Sequence, residues 1–293
     1  MPMRADGTMR AVLGGVALAA TALLAASCRP ADESLRPPLP PPVVNGVSAT
    51  PLSDLPGRRG DARRALVVRH RVISVQLPLG AASETEDLWS YVNEEPAGSR
   101  RGPCLARNGM RVGLGREADW PEIARILRRL TGQRLARARM IAKPGDPLSI
   151  SLKKGQDTQP IFMFRPDGTL FGNDYPPGDY LMVLTAGIDF DNPRTVLISG
   201  APVIRSRYRR RQYVKGHAGY MLTSNPVYYR LEDMAFQFNV PPGGFLMIGP
   251  GPEVARSSSP GSRFLVKSKQ GERFETLLVI APEVFSVRVR VVD

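Results

Sequence analysis

Glycine and proline constrain this chain more than any other feature, with 28 of each among 293 residues. One is too free for a helix interior; the other has a fixed φ and no N–H to donate. At this density the chain is turn-rich, which argues against a helical bundle or coiled coil. Hydrophobic residues make up 42% of the chain, enough for a packed core and too many for wholesale disorder. The implied fold class is α+β: a small α/β module followed by a mainly antiparallel β-rich domain.

Residues 65–142 carry the α/β pattern. The β-branched run at 66–77 predicts a strand. Ser83-Glu84-Thr85-Glu86 has capping-box spacing and predicts a helix with Leu88, Trp89 and Val92 on one face. A helical turn over 101–107 should stop at Asn108-Gly109, and 110–114 should form a short strand. A second helix starts at Asp119, with Pro121 in its first turn, Ile123, Ile126, Leu127 and Leu130 as its apolar face, and Gly132 at its end. Residues 134–142 could return as a strand.

Residues 147–293 read as β throughout. Pro166-Asp167-Gly168 between two apolar runs predicts a hairpin. Further strands are expected at 180–184, 195–199, 227–229, 235–240, 245–248, 264–266, 276–280 and 285–292. In the last, Phe285, Val287, Val289 and Val291 alternate with Ser286, Arg288 and Arg290, the pattern of a half-buried sheet. Those arginines would line a small barrel, which argues against an integral membrane barrel.

Location comes from the N-terminus. Arg4 and Arg10 precede an uncharged, Ala- and Leu-rich stretch over 11–27 that ends in small residues, the layout of an export signal. The stretch is short for a membrane-spanning helix, although an uncleaved anchor is the alternative. Leu24-Ala25-Ala26-Ser27-Cys28 resembles the lipobox of bacterial lipoproteins, with Ala25 where that family prefers Leu. The resemblance implies removal of a signal peptide over 1–27 and a diacylglycerol thioether at Cys28, which anchors the chain in the membrane. Arg29, where an Asp would retain such a protein at the inner membrane, implies the outer membrane facing the periplasm. It leaves Cys104 as the only side-chain thiol, so no disulfide forms within the mature chain. Residues 28–64 then read as the lipidated cysteine and a linker; eight prolines over 29–64 favour extended polyproline II and a spacer between membrane and folded region.

The chain carries 40 Lys and Arg against 27 Asp and Glu, a net +13, which by itself suggests nucleic acid. Export removes that partner and leaves anionic ones of the envelope: lipid headgroups, peptidoglycan carboxylates, acidic polysaccharide or an acidic protein. The densest basic run is Arg205, Arg207, Arg209, Arg210, Arg211 and Lys215, interleaved with Tyr208 and Tyr213. It is the candidate site for an anionic polymer or protein partner; the competing view is a solvated basic hairpin.

No catalytic constellation emerges, and neither a cofactor nor a metal site is expected. Two histidines, His70 and His217, cannot fill the usual zinc patterns and have no nucleophile motif beside them. Gly113-Leu114-Gly115 followed by Ala118 has the look of a dinucleotide loop, but the acid required about 20 residues later is missing, so a plain strand-to-helix turn is expected. Asp189, Asp191 and Asn192 do not continue as a calcium loop and read as turn carboxylates. Cys104 reads as a small buried apolar residue.

Residues 242–284 resemble the closing segment of bacterial secretins. A glycine-turn strand over 242–249, a linker at 260–264 and Glu275-Thr276-Leu277-Leu278-Val279-Ile280-Ala281-Pro282-Glu283-Val284 carry the likeness. The second glycine of that pattern is Pro250 here, and the repeated P-x-L-G is missing. Secretins are multimeric outer-membrane channels preceded by small α/β modules, so the resemblance implies a related sheet and, as an alternative function, a channel subunit. The main expectation is a lipid-anchored envelope protein with a structural or binding role. A second alternative is an envelope hydrolase using Glu86, Asp119 or Asp189. The sequence leaves the oligomeric state open.

Overall fold

The computed structural model describes residues 63–289, apart from 98–100, 133–134, 136, 190–191 and 217–218. The expected signal peptide, Cys28 and nearly all of the linker lie outside the described residues; the first strand begins at Arg63, two residues inside the expected linker.

The architecture is α+β and mainly antiparallel β. The long strand β1 (Arg63–Pro78) pairs along its whole length with β14 (Glu272–Val289), from Arg63 opposite Val289 to Pro78 opposite Phe274. Around this pair grows a seven-stranded sheet. On the other edge of β1 lies β4 (Arg137–Ala142). On the other side of β14 lie β13 (Val266–Lys269) and β12 (Phe245–Pro250), followed by β3 (Met110–Gly115) and the two-residue β2 (Val92–Asn93). A second sheet has the order β10 (Gly219–Arg230), β9 (Val196–Gly216), β8 (Gly178–Ile188), β5 (Pro147–Gln156), with β11 (Phe236–Val240) also on β9. The predicted hairpin at Asp167-Gly168 forms as β6 (Gln159–Phe164) and β7 (Leu170–Tyr175).

Both faces of the first sheet are covered, so its central strands are apolar on consecutive positions rather than alternate ones. Leu246, Ile248, Leu278 and Ile280 belong to one core, shared with Leu184, Ile198 and Phe238 of the second sheet. Their neighbours Phe245, Met247, Leu277 and Val279 belong to another, beneath α2 (Trp120–Thr131), which contributes Ile123, Ile126 and Leu127. Segment 65–142 thus takes its sheet partners from 245–289: β3 pairs with β12 and β1 with β14.

Several local expectations hold. The turn over 101–107 is α1 (Arg101–Arg107), and Gly109 beyond it has φ +75°, where a side chain would be strained. α2 has its proline in the first turn and Gly132 at its C-cap.

Others do not. The capping-box segment at 83–86 opens no α-helix; only a single 3-10 turn, Trp89–Tyr91, follows, and Val92 is already in β2. The Ser83 hydroxyl that would cap a helix donates instead to the buried Glu275 carboxylate. Of the strand expected at 264–266, only Val266 is in one, opening β13; Phe264 and Leu265 end α3 (Pro260–Leu265), capped by Ser259, whose hydroxyl accepts from the Ser262 N–H at 3.2 Å. The runs expected at 276–280 and 285–292 are, as far as Val289, one strand, β14, which continues through Pro282.

Candidate functional site

The basic run lies on β9, and the topology gives it an unusual position. Within the second sheet β9 is paired with β8 only as far as Ser206, opposite Gly178. From Arg209 to Gly216 its only strand partner among the described residues is β10, from Pro226 back to Gly219. The chain therefore extends a two-stranded ribbon beyond the sheet, about 25 Å long at roughly 3.4 Å per residue. At its base Arg205 is anchored: its guanidinium donates to Asp179 at 2.6 Å, and this bond holds the Asp179 carboxyl below its ordinary value.

The register divides the basic run between two faces, because alternate residues of a strand point oppositely. Arg209, Arg211, Tyr213 and Lys215 share one face with Pro226, Ser224, Leu222 and Tyr220. Arg210, Gln212 and Val214 share the other with Asn225, Thr223 and Met221, and Tyr208 continues that set. The candidate residues are thus brought onto one element, with three of its four outer cations on a single face.

The outer half of the ribbon is apolar and uncovered. Tyr213 and Tyr220 are 74% and 73% exposed, Met221 61% and Leu222 55%. No acidic residue occurs between 206 and 226, and among the described residues no ion pair engages Arg207, Arg209, Arg210, Arg211 or Lys215. The arm therefore presents uncompensated positive charge along its stem and aromatic and aliphatic side chains toward its tip. Reading β9 for charge alone missed the second strand: Tyr220, Met221 and Leu222 become part of the site only through the register.

The remaining candidates have structural surroundings. His70 is 1% exposed within β1, and burial lowers its pKa from 6.5, which holds it neutral. His217, Asp191 and Cys28 lie outside the described residues. Gly113 and Gly115 are not in a turn but inside β3, where Gly115 leaves room for the Phe245 ring, which a Cβ would overlap. Their backbone belongs to a ladder between β2 and β12 and cannot wrap a pyrophosphate. Cys104 is buried, and its thiol donates to the Phe164 carbonyl at 3.3 Å. Glu86 is paired with Arg111 at 2.7 Å, and Arg111 also holds Glu94 and lies 4.5 Å over the Trp89 ring. Asp119 is paired with Arg116 at 2.9 Å.

Two concave sites stand out among the described residues. A small one of about 90 Å³ lies under α2, with Glu117 as its only carboxylate. A larger open one, of about 800 Å³, is walled by β5, α3, β13 and β14 and contains no acid. Neither presents the two carboxylates that glycoside-type hydrolysis requires. Among the described residues no group of three or more His, Cys, Asp or Glu could hold a metal ion, and no helix is long and apolar enough to cross a membrane.

No protein-family model, curated protein or solved structure matches this chain.

Proposed function

We propose that this chain is a lipid-anchored envelope protein with a binding role, and that the β9–β10 arm docks onto the headgroup region of an anionic bilayer. The observation that carries the reading is the arm itself: a ribbon with a cationic stem, no counter-charge and an apolar, tyrosine-bearing outer half. Arginine and lysine near an anionic membrane each contribute about 1 kcal/mol of attraction. Tyrosine favours the water–lipid interface, where its ring is buried and its hydroxyl stays wet. A purely polar polymer such as peptidoglycan would satisfy the stem and leave Met221 and Leu222 in water. Of the anionic partners available in an envelope, a lipid surface matches both halves. With an acylated Cys28 as the first attachment, the arm would orient the folded region on the surface.

The test separates the arm from the lipid anchor. The chain from Arg29 onward is floated with vesicles of phosphatidylglycerol and phosphatidylcholine, or of phosphatidylcholine alone. Binding is expected only to the anionic vesicles, weakening as salt is raised. The triple variant Arg209→Ser, Arg211→Ser, Lys215→Ser should lose at least tenfold in binding, and Arg210→Ser, on the opposite face, much less. Tyr220→Ser with Leu222→Ser should weaken binding while leaving its salt dependence. Equal binding to both vesicle types, or no loss in the triple variant, would sink the reading.

A further inference from the structure

The larger cavity is charged in a way that the rest of the fold does not require. Its rim and wall carry five cations, Lys153 and Lys154 from β5, Arg263 from α3, Lys267 from β13 and Arg273 from β14, and no carboxylate. Several arginines outside the arm are paired with acids: Arg111 with Glu86 and Glu94, Arg205 with Asp179, Arg69 with Glu283. Here the cations face one another.

Lys153 is the centre of the cluster. Its side chain is half-buried, and its ammonium donates to the Ser262 carbonyl at 3.2 Å. Burial, reinforced by Arg263, Lys267 and Arg273, pulls its pKa from 10.5 down to about 8. Burial also lowers Lys267. Arg263 donates through one terminal nitrogen to Gln159 at 2.8 Å, while its Nε is buried without a partner. Like charges gathered in a partly dry site destabilise the fold unless something negative joins them. Four serines and two glutamines add neutral hydrogen-bonding groups to the lining, beside Leu152 and Val266. A guanidinium fork, ammonium point charges and hydroxyl donors together match a tetrahedral oxyanion. The volume exceeds that of a lone phosphate and lies in the range of small-molecule sites.

We propose that this cavity is a binding site for a small phosphorylated ligand carrying at least two negative charges, with Lys153, Arg263, Lys267 and Arg273 around its phosphoryl oxygens. The site is independent of the arm, and either can fail without the other.

The experiment is isothermal titration of the detergent-solubilised full chain with inorganic pyrophosphate, with glycerol phosphate as the organic monophosphate. Binding at pH 7 should be measurable for at least one probe and should raise the thermal midpoint. Lys153→Met should reduce affinity at least tenfold. It should also raise the midpoint of the free protein, because a half-buried charge among like charges is removed. Arg273→Gln, at the exposed rim, should weaken binding without that stabilisation. The sign of the pH effect is diagnostic. Between pH 7 and 9 Lys153 loses its proton, so affinity should fall although pyrophosphate itself only gains negative charge. Arg209→Ser with Arg210→Ser and Arg211→Ser should leave the affinity unchanged. No binding by either probe, unchanged affinity in Lys153→Met, or loss in the arm variant would overturn the proposal.

Discussion

At the scale of single residues, buried polar side chains act as fasteners between segments distant in sequence. Glu275 is fully buried, and its carboxylate accepts from the backbone N–H groups of Gly80 at 2.9 Å, Ala82 at 2.8 Å and Ser83 at 3.2 Å, as well as from the Ser83 hydroxyl. It shapes the 79–83 turn from the far end of the chain. Glu275→Ala should therefore cost about 3 kcal/mol, since several buried donors lose a charged acceptor at once. Urea denaturation measures this, and a loss below about 1 kcal/mol would contradict the role. Asn108 works similarly: its amide donates to the Phe164 carbonyl at 2.8 Å and accepts from the Phe164 N–H at 2.7 Å, tying α1 to β6. Asn108-Gly109 is legible as a helix stop because stops are local. The fastening of Phe164 is not legible, because the partner lies 56 residues away. The same holds for Ser83, whose spacing to Glu86 satisfies the capping box while its hydroxyl is taken by a residue 192 positions on.

At the scale of elements, the arm shows what a pattern can and cannot tell. The cations and tyrosines at 205–215 are plain in the sequence, but no alternation marks them as a strand, because both faces of the ribbon are in solvent. Their strand character comes from β10, whose register supplies the apolar half of the site. A two-stranded ribbon whose outer half packs on nothing among the described residues contributes little to the stability of the whole. Excising residues 210–225 and closing the gap with a tight turn should therefore change the unfolding free energy by less than about 1 kcal/mol while abolishing binding to anionic vesicles. Thermal unfolding and flotation check the two halves separately; a large loss of stability would mean the arm is part of the core. The missed strand β5 illustrates the opposite case. Leu148, Ile150 and Leu152 alternate cleanly into the core, a signal present in the sequence but confined to five residues and ended by Lys153-Lys154.

At the scale of the whole molecule, the proposed attachment has its own test. If Cys28 is acylated, Cys28→Ser should leave the chain extractable by washes that strip peripheral proteins, because two or three acyl chains far exceed the two-signal threshold for stable anchoring. Membrane fractionation of the intact protein measures this, and a variant that remains fully membrane-bound would support the uncleaved anchor helix instead. The sequence by itself determined the class of fold. Turn residues at this density argue against a helical bundle, and β-branched runs between them become strands wherever partners exist; the lengths of β1, β9 and β14, at 16, 21 and 18 residues, come from their pairing. It also determined the positions of the α1 and α2 stops and the concentration of charge at 205–215, all properties of contiguous residues. Only the tertiary structure decided that strands from 65–142 and 245–289 interleave in one sheet, that this sheet is buried on both faces, and that five cations from four separate elements line a cavity without an acid. Strand pairing and charge clustering are long-range relations, set by register and packing between segments whose separation along the chain carries no trace of their proximity in space.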